Sequence, residues 1–171
     1  MPENKPEIWD KLLPDQALNN QHYHGASYHR ALFDAIVRTG GIPDPVKRFR
    51  LHQSERFTLA EMASNPVNLR LLEILIGLSG ARRILEIGTF IGLSAMVMAS
   101  ALPADGRLVT IEKFDEFADI AARNFHDNGF DGKIELLRGD AFDIIPSLLA
   151  DSRFQPFLRR VIIRYFLNPL N

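Results

Sequence analysis

The chain contains no cysteine. Disulfide staples and thiolate metal sites are thereby excluded, and the composition suits a reducing compartment. Neither sign of charge is in surplus: 20 Lys and Arg stand against 21 Asp and Glu, a formal net charge of -1. Without a basic field or a long like-charge block there is no electrostatic footprint for nucleic acid. No run approaches the roughly 20 apolar residues of a bilayer span, so no membrane helix is expected. Met1 to Trp9 is polar and holds Pro2 and Pro6, unlike a secretory signal. Internal repeats and low-complexity tracts are missing. What is there is a 171-residue chain, 46% hydrophobic and 24% charged. That balance and length predict one globular domain of cytoplasmic type.

The rest of the chain is arranged around Arg83 to Ser94. Ile84, Leu85 and Ile87 read as a short buried strand that carries Glu86 near its end and breaks at Gly88. Gly92 follows, and an apolar helix rich in Ala and Met runs from Leu93 to Ala101. A strand, a glycine turn and a helix start make a nucleotide-type site. Glycine lets backbone approach a ligand, and the helix start presents free N–H groups. The spacing is Gly-x-x-x-Gly. It is neither the dinucleotide Gly-x-Gly-x-x-Gly nor a phosphate loop ending in Gly-Lys-Ser/Thr. A nicotinamide dinucleotide enzyme is therefore disfavoured.

Residues 1–24 read as an irregular arm. Ser27 to Val37 has Ala31, Leu32, Ala35 and Ile36 at helical spacing and stops at Thr39-Gly40-Gly41. Pro43 and Pro45 suggest a linker, and Lys47, Arg48 and Arg50 a solvated basic face. Asn65-Pro66 has the chemistry of a helix start. The helix that follows, Val67 to Leu78, sets Leu71, Leu72, Leu75 and Leu78 on one side and ends at Ser79-Gly80. A second strand, Leu108 to Ile111, ends in Glu112. The helix Asp115 to Asn128 turns Phe117, Ile120, Ala121 and Phe125 inward. A third strand, Ile134 to Leu137, precedes Gly139-Asp140 and a short helix from Asp143 to Ala150. Val161 to Ile163 suggests a fourth strand at an exposed sheet edge. The alternation predicts an α/β fold, a Rossmann-like doubly wound, mainly parallel sheet with N-terminal helices. The expected division is an arm at 1–56, a core at 57–154 and an atypical tail at 155–171.

Three stretches then fall at successive strand ends: Glu86 to Gly88, Glu112, and Gly139-Asp140. Ligands of open α/β sheets bind at those ends. A carboxylate such as Glu112 suits the two hydroxyls of a ribose, and Asp140 suits an exocyclic amine. A lone acid after a strand is usually a solvated turn residue; three in register favour a ligand. A strand-end acid packs little, so loss of Glu112 is expected to weaken binding and spare the fold.

Leu85-Glu86-Ile87-Gly88-Thr89-Phe90-Ile91-Gly92-Leu93-Ser94 resembles the first motif of class I S-adenosylmethionine-dependent methyltransferases. The branch it is most similar to is the cation-dependent O-methyltransferases, the catechol and caffeoyl-CoA type. Met62-Ala63-Ser64-Asn65-Pro66, Val109 to Glu112, and Leu137 to Ala141 with Ile145-Pro146 add to that resemblance, over about 57–154. It implies that Glu86, Gly88 and Thr89 line the methionine part of S-adenosylmethionine, with Ser94 near its carboxylate. Glu112 would hold the ribose, flanked by Lys113, and Asp140 and Ala141 would border the adenine. Met62 and Ser64 would close over the cofactor, although Met62 also reads as plain core.

The family pattern fails after Phe154. The resemblance leads one to expect acids and an Asn for a divalent cation such as Mg²⁺, and a Lys as base. This chain instead shows Gln155-Pro156-Phe157-Leu158-Arg159-Arg160. No metal ligand or catalytic residue can be assigned, and a truncation or a reading-frame change is expected there. His22, His24 and His29 suit a polar lid or interface arm better than a transition-metal site. The implied activity is methyl transfer to a hydroxyl of a small catechol-like acceptor by a homodimer, with low activity expected of this form. The alternative is a non-catalytic cofactor-binding or interaction module.

Overall fold

The computed structural model describes residues 35–37, 39–41, 45–150 and 163–165. The histidines of the arm and most of the helix expected from Ser27 lie outside the described residues; positions 35–37 are helical, and Gly40 N–H closes on the Ile36 carbonyl at 2.9 Å. The elements in order are α1 (Pro45–Arg48), α2 (Leu59–Met62), α3 (Pro66–Ser79), β1 (Arg83–Ile87), α4 (Leu93–Ala101), β2 (Arg107–Glu112), α5 (Asp115–Asp127), β3 (Ile134–Arg138), α6 (Ala141–Ala150) and β4 (Ile163–Tyr165). The stretch after Pro43, read as a linker, contains α1. Proline at a first helical position costs nothing, since its missing N–H would have had no acceptor there.

The four strands form one parallel sheet in the order β3-β2-β1-β4, with β4 on the edge beside β1. Alternation along β1 and β2 sends Ile84 and Leu108 to one face and Leu85, Val109 and Ile111 to the other. Ile76 of α3, Ala95, Met96 and Ala99 of α4, and Ala121 and Phe125 of α5 cover the first face. Leu148, Ile144 and Ile145 of α6 cover the second. Helices on both faces of a parallel sheet make the Rossmann-like arrangement expected of the sequence.

The local signals at α3 hold in detail. The Asn65 side chain accepts the Asn68 N–H at 2.9 Å, Pro66 occupies the first turn, and Gly80 ends the helix at φ 60. Three of the four leucines of the expected stripe, however, face outward, Leu71 at 51% exposed, Leu75 at 44% and Leu78 at 81%, and Leu72 alone turns in, partly buried. The buried side is Leu69, Leu72 and Ile76, also at helical spacing. Two apolar stripes run along this helix, and the packing of α4 selects the less obvious one.

Candidate functional site

Parallel register carries the three singled-out strand ends to one edge of the sheet. Ile87 pairs with Ile111, and Glu112 with Arg138. The ladder continues one bond beyond the strands: Gly88 N–H donates to the Ile111 carbonyl at 2.9 Å, and Gly139 N–H donates to the Glu112 carbonyl at 2.8 Å.

From β1 to α4 the chain turns through three residues of positive φ, Gly88 at 87°, Phe90 at 50° and Gly92 at 85°. Gly92 has a second reason to be glycine, because a Cβ there would overlap the ring of Phe125. Phe90 has a side chain and pays for its backbone state, a cost of order 1–3 kcal/mol. Two contacts hold it there. Its N–H donates to Glu112 Oε2 at 2.8 Å, and its ring meets Phe117 edge-on, centroids 5.1 Å apart. Helix α4 then starts without a side-chain cap. The N–H groups of Leu93, Ser94 and Ala95 have no acceptor within the helix and aim toward the turn.

Glu112 is the post around which this turn is wound. It is only 5% exposed, and Oε2 also accepts the Thr89 N–H at 3.0 Å, while Oε1 accepts the Phe114 N–H at 3.0 Å. The expectation that a strand-end acid packs little is therefore corrected: this carboxylate ends a strand but fills the concave side of the next loop. A carboxylate has about four acceptor positions, and these N–H groups take three of them.

Glu86 lies beneath the turn, fully buried. Ser94 Oγ donates to its Oε1 at 2.6 Å, and Thr110 Oγ1 donates to its Oε2 at 2.8 Å. Thr110 has spent its only hydrogen, so the 2.6 Å contact between the Thr89 and Thr110 hydroxyls must run from Thr89 to Thr110. Strand β1, the turn, helix α4 and strand β2 are tied together by this one chain of hydroxyls ending on a carboxylate.

On the far side, Lys113 Nζ lies 3.0 Å from Asp140 Oδ2, joining the ends of β2 and β3. Asp140 Oδ1 accepts the Phe142 N–H at 2.9 Å. That N–H first, and the Lys113 ammonium second, hold the Asp140 carboxyl below the ordinary aspartate value of 3.8. Ala141 opens α6 and Phe142 beside it is exposed. On the near side, Met62 and Ala63 pack against the cluster of Phe90, Ile91, Leu93 and Phe117, and Ser64 is buried next to them. Nine of the ten residues singled out from the sequence thus border the carboxyl edge of the sheet or the turn above it, and Ser64 is buried beside Ala63.

Thr110, Phe90, Asn124 and Asn128 escaped the sequence reading. Thr110 is the polar residue of an apolar strand, in register with Glu86. Asn124 sits on the inward stripe of α5 between Ala121 and Phe125, and a polar residue on an apolar stripe was its signal. Among the described residues, no group of three or more His, Cys, Asp or Glu is placed to hold a metal ion. The described residues do not fit a divalent cation.

A family model described as O-methyltransferase matches residues 45–160. A catechol O-methyltransferase of Niastella koreensis is 37% identical over 87 residues, 51% of this chain and 39% of that protein. Tricin synthase 2 of Oryza sativa subsp. japonica is 34% identical over 106 residues, 62% of this chain and 36% of that protein. A Klebsiella pneumoniae structure described provisionally as an O-methyltransferase superposes with a TM-score of 0.56 at 30% identity, covering 69% of this chain and 54% of that one. The chain spans less than half the length of the two curated relatives. With the family match running from α1 through β3 and α6, more than half of the chain, the chain belongs to the O-methyltransferase family.

Proposed function

We propose that the chain is the cofactor-binding part of an S-adenosylmethionine-dependent O-methyltransferase whose acceptor is a hydroxyl of a small catechol-like aromatic. One observation carries this reading. Glu112 folds the Gly88–Gly92 turn over the carboxyl edge of the sheet through two buried N–H bonds. That edge joins a helix start to two strand-end acids, the kinds of group that a nucleoside bearing an amino acid would meet.

The fit can be followed residue by residue. Gly88 and Thr89 would receive the methionine end, with Glu86 buried below them as the group that fixes Thr110 and Ser94. The Ser94 hydroxyl donates to Glu86. A carboxylate would therefore be met by the helix-start N–H groups of residues 93–95 rather than by that hydroxyl. Glu112 would take the ribose, and the Lys113–Asp140 pair with Ala141 would border the base. Met62 and Ser64 would close the near side. S-adenosylmethionine, when bound, supplies an electrophilic sulfonium methyl; the protein's part is to fix its position and exclude water so that an acceptor oxygen can approach in line. The catechol-like acceptor is favoured by the branch resemblance and by the similarity to the catechol O-methyltransferase of Niastella koreensis.

Isothermal titration of the 171-residue chain with S-adenosylhomocysteine tests the reading. One-to-one binding is expected, and a folded sample that gives no heat would refute it. A radiolabelled methyl-transfer assay over a panel of catechols then tests the acceptor.

A further inference from the structure

Two asparagines one helical turn apart treat residues 50–52 as a neighbouring strand. Asn128 Oδ1 accepts the Arg50 N–H at 2.9 Å, and its Nδ2 donates to the Arg50 carbonyl at 2.8 Å. Asn124 Oδ1 accepts the His52 N–H at 2.7 Å, and its Nδ2 donates to the His52 carbonyl at 3.1 Å. The geometry explains the spacing. Positions i and i+4 on a helix stand about 5–6 Å apart. Alternate residues of an extended chain stand about 6.6 Å apart. Two side-chain amides on one helix can therefore serve two alternate backbone amides.

Asn124 does more than its neighbour. It is fully buried, and its second amide hydrogen goes to the Ile91 carbonyl at 2.8 Å, inside the glycine turn. The segment it holds continues along α5 toward that helix's N-terminus. Ser54 Oγ reaches Glu116 at 3.5 Å, and the Phe57 ring meets Phe117 edge-on at 6.0 Å. It then leads into Met62 and Ser64. The strap at 50–57 and the turn at 88–92 thus share one polar anchor.

We infer that Asn124 is a positioning residue: without touching a ligand, it sets residues 62–64 and the Gly88–Gly92 turn relative to each other, and so sets cofactor affinity. The affinity part rests on the cofactor reading above; the coupling of strap to turn does not. Asn128 serves as the internal comparison, since it holds the strap and not the turn. Ile134→Ala supplies a control that lowers stability at the opposite end of the sheet.

The test compares Asn124→Ala, Asn128→Ala, Ile134→Ala and His52→Pro in the full chain, by titration with S-adenosylhomocysteine and by amide hydrogen exchange. His52→Pro removes one strap N–H, together with the exposed imidazole that contacts Asp127 at 2.7 Å, and leaves the core side chains untouched, so it reports even where Asn124→Ala fails to fold. Asn124→Ala is expected to weaken binding at least ten-fold, against less than three-fold for Asn128→Ala and Ile134→Ala. Exchange should rise at 88–92 as well as 50–54 in Asn124→Ala and His52→Pro, and at 50–54 alone in Asn128→Ala. Should the wild-type chain bind nothing, the cofactor reading fails and the exchange data still decide the coupling. Turn amides that keep wild-type protection in both Asn124→Ala and His52→Pro would overturn it. So would an affinity loss in Asn124→Ala no greater than that of Ile134→Ala.

Discussion

Replacing Glu112 separates two jobs that one carboxylate performs. Glu112→Ala strips the acceptor from three N–H groups, those of Thr89, Phe90 and Phe114. Phe114 is exposed, so water takes its N–H at little cost. Thr89 and Phe90 are 2% and 7% exposed, and their N–H groups would be left without a partner. An orphaned buried donor costs about 1–3 kcal/mol, so the pair should cost about 2–6 kcal/mol. Against a total stability of about 5–15 kcal/mol this is a large fraction. With a urea slope of about 2 kcal/mol/M the unfolding midpoint should fall by about 1–3 M. Glu112→Gln behaves differently. Its amide oxygen can keep both Thr89 and Phe90, while its NH₂ group turns toward Phe114, whose N–H can move to water. The midpoint should then fall by less than about 1 M. Affinity for S-adenosylhomocysteine should nevertheless drop about ten-fold, because a ribose hydroxyl loses a charged acceptor. The measurements are urea unfolding followed by circular dichroism and titration calorimetry. A Glu112→Ala protein as stable as wild type would show that the carboxylate does not hold the turn.

Four further outcomes are expected. Gly92→Ala combines a left-handed φ with overlap on Phe125, so thermal melting should drop sharply and ligand binding should vanish. Asn65→Ala removes the cap of α3 and should cost about 1 kcal/mol in urea unfolding, with ligand affinity unchanged. The folded-state value of Asp140 lies below 3.8, so its contribution is present above pH 3.8 and lost as pH falls through the lower value. The unfolding midpoint of wild type should accordingly exceed that of Asp140→Asn between pH 5 and 7, and the gap should close under acid titration below about pH 3.8. EDTA should leave the dissociation constant for S-adenosylhomocysteine unchanged in calorimetry, since the described site residues hold no metal-binding group; a metal-dependent constant would reveal ligands among the remaining residues.

The order of elements was legible because it is written locally. Asn65-Pro66 and Gly80 mark their helix ends by their own backbone chemistry, and Ile84 to Ile87 and Leu108 to Ile111 announce strands by apolar runs. Strand ends follow from those boundaries, and a parallel sheet places the ends together, so the grouping of Glu86, Glu112 and Asp140 is written in the sequence. Partner choice is another matter. Helix α3 carries two apolar stripes, and only the approach of α4 decides that Leu69 and Ile76 go inward while Leu71 and Leu78 stay out. Glu112 looks like a surface acid in one dimension, and becomes a buried post only when residues 89 and 90 arrive from another strand. The hydroxyl chain from Thr89 to Glu86 and the double grip of Asn124 on His52 and Ile91 join residues 21 to 72 positions apart. Hydrophobic spacing is a one-dimensional signal that sequence preserves. Hydrogen-bond pairing between distant segments is settled by which donors and acceptors the packed helices bring within 3 Å, and that exists only in the tertiary structure.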